Sequence, residues 1–111
     1  MPQTRWLSVY IVTADEIEAE RIGEALVDER LAACVNILGK VRSIYRWQGR
    51  TERANECALI AKTTSDCIEK LVERVRALHS YETPAITAWP IVGGSSDYLE
   101  WIALETTTSS N

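Results

Sequence analysis

The segment His79-Ser80-Tyr81-Glu82-Thr83-Pro84 gathers the side chains of this chain best suited to chemistry. It holds the one histidine of the 111 residues, beside a tyrosine and a carboxylate. Neutral imidazole is a ligand for Cu(II), Ni(II) and Zn(II), and it also carries protons near neutral pH. One histidine is too few for a site inside one subunit. His79 and Glu82 are therefore candidate metal ligands if Cys34 or a neighbouring subunit's carboxylate completes the set. The same histidine could instead line a small-molecule pocket. It could also be a polar helix end, where its protonated form suits the negative end of the helix dipole. All three readings stay open at this level.

A second group has apolar bodies with polar tips: Lys62, Tyr81, Tyr98 and Trp101, with Glu82 and Cys34 beside them as candidates. Around a cleft, such groups bind small anions or zwitterions. They could equally pack an interface, where Tyr and Trp are enriched, and Lys62 with Glu82 could be a structural ion pair. The run Tyr45-Arg46-Trp47 consists of residue types that dominate binding energy at protein interfaces, with a sister subunit as the expected partner. A stacking platform for nucleic acid is the alternative. The net charge of −4, from 12 basic and 16 acidic side chains, speaks against it, because nucleic-acid footprints need a basic excess.

No catalytic constellation is found. The chain has no Gly-rich phosphate loop. The loop after the first strand, Thr13-Ala14-Asp15-Glu16, places two carboxylates where an anion would dock at a helix start. Ser8, Ser43 and Ser65 have no histidine near them in sequence. The expectation is a protein that is not an enzyme and carries no organic cofactor.

The elements that must position these residues follow from periodicity. Trp6 to Val12 is apolar on both parities, as in a central strand covered on both faces. Thr13 or Asp15 can cap a helix running from about Asp15 to Leu31, with Ala19, Ile22, Gly23, Leu26 and Val27 on its buried stripe. Glu18, Glu20, Arg21, Glu24 and Asp28 fall on its solvated face. Ala33 to Trp47 is a long second strand with a bulge or bend at Gly39. Gln48-Gly49 is a tight turn, and Arg50 to Thr64 returns. Asp66 with Glu69 resembles a capping box for a second helix, whose stripe is Ile68, Leu71, Val72, Val75 and Leu78 and which ends near His79. Pro84 forces extended geometry on Thr83, and Ala85 to Val92 reads as a fourth strand. Asp97 to Ala103 is a short final helix. The whole is one domain over residues 1–111, ordered from about residue 5 to 105, with 106–111 a polar tail.

The order β-α-β-β-α-β predicts an α+β, ferredoxin-like sandwich with a long central hairpin and a short C-terminal helix. The hairpin does not suit a monomer. Arms of about 15 residues would reach about 50 Å, whereas typical strands have five or six residues. Two helices cannot cover such a ribbon, and an exposed apolar edge would aggregate. Arms that pair with or wrap around sister subunits resolve this, and symmetry then favours a closed homo-oligomer. Three widely spaced cysteines, Cys34, Cys57 and Cys67, suggest neither disulfides nor a thiolate zinc site. With no apolar run near 18 residues and no apolar signal core at the N-terminus, no membrane partner is expected and a cytoplasmic location is.

Five stretches carry a family resemblance. They are Glu29-Arg30-Leu31-Ala32-Ala33-Cys34-Val35-Asn36-Ile37, Ser43-Ile44-Tyr45-Arg46-Trp47-Gln48-Gly49, Lys62-Thr63-Thr64, the His79 segment, and Asp97-Tyr98-Leu99-x-Trp101. Together they resemble the CutA family of divalent-cation tolerance proteins. The resemblance implies a homotrimer, similar in outline to PII-type signalling trimers, and a link to Cu(II) or another divalent cation. It departs at three positions. Val12 stands where some members carry a cysteine, Ala85 where many carry a glutamate, and Ser80 where a proline is usual. A trimeric signalling or scaffold protein that binds a small ligand between subunits is the alternative.

Overall fold

The computed structural model describes residues 5–106. Seven elements run in order: β1 (Trp6–Thr13), α1 (Glu16–Asp28), β2 (Cys34–Trp47), β3 (Arg50–Thr64), α2 (Ile68–Leu78), β4 (Ile86–Pro90) and α3 (Ser96–Glu105). The four strands form one antiparallel sheet in the order β2-β3-β1-β4. This is the expected ferredoxin-like α+β arrangement. Of the polar tail expected over 106–111, Thr106 is buried and its hydroxyl donates to the Ile102 carbonyl at 2.9 Å. The rest of the tail lies outside the described residues.

The core lies on one face of the sheet. Val9 and Ile11 of β1 and Cys57, Leu59 and Ala61 of β3 point at Ala19, Ile22 and Leu26 of α1 and at Leu71 and Val75 of α2, all buried. Full burial of a Leu, Ile or Val side chain is worth about 1.5–3 kcal/mol, so these residues supply most of the drive for the sandwich. Gly23 is on the buried stripe because α1 sits close to the sheet. A Cβ there would lie 3.0 Å from Val35 Cγ1.

Local signals explain the boundaries. Asp15 is the N-cap of α1, and its Oδ1 accepts from Glu18 N at 2.8 Å. The helix ends three residues before the expected Leu31, in a Schellman motif. Arg30 adopts φ 62, its N–H donates to the Val27 carbonyl at 3.0 Å, and the Leu31 N–H donates to Leu26 at 2.9 Å. Apolar periodicity continued to Leu31 because that residue returns to the core. The capping box expected at Asp66 and Glu69 does not form. The N-cap of α2 is Cys67, in helical backbone geometry and without a side-chain cap bond.

The hairpin is as long as expected, with arms of 14 and 15 residues. Its turn has positive φ at both Gln48 (49°) and Gly49 (80°), the type I′ pattern that matches strand twist. At Gly39 (φ 104) the β2–β3 register slips between Ile37 and Gly39. This bulge exchanges the faces of β2. Before it, Cys34 and Asn36 pair with Lys62 and Ile60; after it, Val41, Ser43, Tyr45 and Trp47 pair with Glu56, Ala54, Glu52 and Arg50. All of these residues share the sheet face away from α1 and α2.

That second face is only partly covered. At one end α3 packs across it: Trp6 Nε1–H donates to the Leu99 carbonyl at 2.7 Å, and Ile102 is fully buried. In the middle, Tyr10 and Trp89 stack with centroids 5.7 Å apart. On this face Trp89 is 49% exposed, Trp47 50% and Tyr45 43%.

Candidate functional site

The His79 segment follows α2 and is pinned from three directions. Tyr81 N–H donates to His79 Nδ1 at 3.0 Å, so that nitrogen presents its lone pair inward. The ring proton then sits on Nε2, which donates to the Val12 carbonyl at the end of β1 at 2.7 Å. Glu18 Oε1 lies 3.9 Å from Nδ1. The shorter Tyr81 contact decides the tautomer. The imidazole side chain is fully buried, and both nitrogens are committed to backbone groups.

Glu18 is the second anchor. Sequence periodicity put it on the solvated face of α1, but it is buried. Its Oε1 accepts from Ala14 N at 2.9 Å and from Ser80 Oγ at 3.1 Å; its Oε2 accepts from Ser80 N at 2.7 Å. Burial alone would push this carboxyl upward. The bonds from Ala14 and Ser80, with the His79 ring beside it, outweigh burial and hold it below its ordinary value. The signal for this role was Asp15-x-x-Glu18, a capping-box spacing at the head of α1. Ser80, where a proline is usual in the resemblance, supplies two of the donors.

The third anchor is Tyr81, whose hydroxyl donates to Glu56 Oε2 on β3 at 2.8 Å. Burial, then that bond and the Glu56 charge, push the phenol up to about 12. Nothing in the sequence singled out Glu56; it becomes visible only when β3 passes beneath the loop.

The candidate residues fall into two groups on the uncovered face. At the hairpin end, Tyr81 and Glu82 join Tyr45 and Trp47 around a depression of about 500 Å³, with Val12, Glu56 and Ala85 also lining it. Arg46 turns away to the hairpin turn, where Nη2 donates to the Gly49 carbonyl at 3.1 Å. At the other end, Cys34 Sγ lies 3.2 Å from Tyr98 Oη, Tyr98 and Trp101 are 5.5 Å apart, and Lys62 Nζ donates to Asn36 Oδ1 at 3.2 Å. The Cys34 contact, then burial, raise the Tyr98 phenol to about 12. Lys62 and Glu56 are six positions apart on β3, about 20 Å along the strand. One chain therefore separates Lys62, Cys34, Tyr98 and Trp101 from Tyr81 and Glu82. An ion pair between Lys62 and Glu82 does not form.

Residues 7–105 match the family described as CutA1 divalent ion tolerance protein. The chain belongs to the CutA1 family. Among similar proteins, the divalent-cation tolerance protein CutA of Thermus thermophilus is 50% identical over 94 residues, which span 85% of this chain and 91% of that one. The solved structure of the Thermus protein superposes with a TM-score of 0.91 at 47% identity, covering 92% of this chain and 99% of that one. CutA1 from a psychrotrophic Shewanella species superposes at 0.93 with 33% identity, covering 96% and 100%. The chain spans 52% of the length of the chloroplastic CutA protein of Arabidopsis thaliana, to which it is 40% identical.

Among the described residues no group of three or more His, Cys, Asp and Glu side chains could hold a metal ion. Both His79 nitrogens are occupied, and Val12 and Ala85 add no donor side chain to the depression. The described residues of one chain do not make a complete cation site. Glu82 is exposed at the rim of the depression, with no side-chain partner among the described residues.

Proposed function

We propose that this chain acts in divalent-cation tolerance as a homotrimer, which takes up Cu(II) or another divalent ion with Glu82 as one ligand. Neighbouring subunits supply the other ligands. The observation that carries the assembly is the uncovered sheet face, with Tyr45, Trp47 and Trp89 each more than two-fifths exposed. Exposed aromatics spread along one sheet face mark interaction surfaces, and a ring of identical subunits would cover them without leaving a free edge. Oxygen donors from several chains would suit weak, reversible cation uptake. His79 in this reading is a positioning residue: it holds the segment that presents Glu82. The test is calorimetric titration of Cu(II) into the wild type and Glu82→Gln. The expected result is loss of binding in the variant. Unchanged affinity and stoichiometry would remove Glu82 from the site.

A second reading is favoured by the depression itself. It is walled by aromatic rings and held open by the Tyr81–Glu56 bond. A trimer that senses a small ligand there would be a signalling or scaffold protein. A ligand screen by thermal shift discriminates, since a ligand of the folded state raises stability by RT ln(1 + [L]/Kd).

A further inference from the structure

We infer that the helix-side face of the far half of the hairpin docks an acidic segment of another protein. Tyr45 and Trp47 point to the sheet face that sister subunits cover in the proposed trimer. The alternate residues Lys40, Arg42, Ile44 and Arg46 point to the opposite face. Arg42, Ile44 and Arg46 pair across the ladder with Asn55, Arg53 and Thr51. All of this strip is exposed, because the helix layer ends near Cys57, the buried partner of Lys40. One face of the hairpin can therefore seat a sister subunit while the other receives a different partner.

The strip concentrates positive charge in an acidic chain. Lys40, Arg42, Arg46 and Arg53 are four of its 12 basic side chains, against a net charge of −4. Arg53 stands opposite Ile44, so it lies diagonally about 7–8 Å from both Arg42 and Arg46. Among the described residues no ion pair joins any of the four cations to a carboxylate. Arg46 donates to the Gly49 carbonyl, which leaves its charge uncompensated. Like charges this close repel, and an anionic partner relieves the repulsion. Same-face residues of β2 recur about every 6.6 Å, the spacing of carboxylates on alternate residues of an extended peptide. Ile44, 62% exposed among the arginines, offers an apolar seat that a protein segment can fill and a phosphate chain cannot. Glu52 and Glu56 on the reverse of the same ribbon disfavour a nucleic acid, which needs a broader basic surface.

The inference is independent of Cu(II) uptake and of the trimer. Its test is fluorescence anisotropy of a labelled peptide, Glu-Ser-Glu-Ser-Leu-Ser-Glu, titrated with the full chain while light scattering follows the mass. The acidic peptide is expected to bind, and to bind less tightly as salt rises, while a peptide with Lys in place of Glu does not bind. Arg53→Glu should weaken the acidic peptide on the order of tenfold, and Ile44→Ser by a smaller factor, each at unaltered mass and melting temperature. An acidic peptide that binds no better than the Lys peptide, or equally to wild type and Arg53→Glu, would overturn the inference. So would a short DNA duplex that binds more tightly than the peptide at the same salt. An Arg53→Glu variant that falls from an assembled mass to that of one chain would overturn it too, and would mean that a sister subunit's carboxylates fill the strip. Peptide binding by a protein of single-chain mass would uphold the inference while the trimer reading fails.

Discussion

His79 Nε2–H donates to the Val12 carbonyl at 2.7 Å, joining the end of α2 to the end of β1 across 67 positions of sequence. The residue with the most obvious metal chemistry is spent on architecture. A metal at this ring would first have to displace either Val12 or the Tyr81 N–H. His79→Ala should therefore destabilise the chain by about 2–3 kcal/mol, the cost of buried groups left without partners. Denaturant unfolding checks this. Copper stoichiometry should be the same in wild type and His79→Ala, provided the variant is titrated where it is fully folded. Loss of copper binding with unaltered stability would reverse the assignment.

Glu18 makes the fold sensitive to acid. Its carboxyl is held below the ordinary glutamate value in the folded state, so its contribution is complete above the unfolded value. That contribution is lost as pH falls through the folded one. Wild type should exceed Glu18→Gln by about 1–2 kcal/mol at pH 7, and the gap should close below about pH 4. Paired melting curves from pH 7 to pH 3 measure it; a gap that persists at low pH would contradict the role.

Arg30 combines two roles that can be separated. It takes the left-handed φ of 62 that ends α1, and its guanidinium reaches the last turn of α3, donating to Leu104 at 2.7 Å and Glu105 at 3.1 Å. α3 has no basic residue of its own in that turn. Arg30→Ala loses the cap and keeps the strain, whereas Arg30→Gly loses the cap and relieves it. Ala should be the less stable of the two by about 1 kcal/mol. Equal stability of the two variants would mean that the positive φ carries no cost.

Trp47 lies two residues from Tyr45 on the exposed sheet face. If that face seats sister subunits, Trp47→Ala should raise the concentration at which the oligomer dissociates by at least tenfold, because a buried aromatic anchor is commonly worth about 2 kcal/mol or more. Sedimentation over a dilution series checks it. An unchanged oligomer and melting temperature would count against a wrapping hairpin.

Much of this was legible in residues read one element at a time. The stripe Ile68, Leu71, Val72, Val75, Leu78 placed α2, Gln48-Gly49 placed the turn, and Gly39 marked the bulge, because each reflects local backbone chemistry. Glu18 was misplaced on the solvated face, because helical periodicity assigns faces but cannot see Ser80 arriving from 62 positions away. Arg30 hid the end of α1, since a left-handed cap is usually announced by glycine. The site was legible as types but not as a grouping. Tyr45 and Trp47 read as interface and Tyr81 and Glu82 as a cleft, yet they line one depression. Cys34, Lys62, Tyr98 and Trp101 gather at the other end, a division decided by strand register alone.

Sister subunits seated on the open sheet face would make the protein a trimer in solution, and light scattering at micromolar concentration measures its mass. The expected result is a mass three times the 12.5 kDa of one chain. A mass of one chain at that concentration would contradict it.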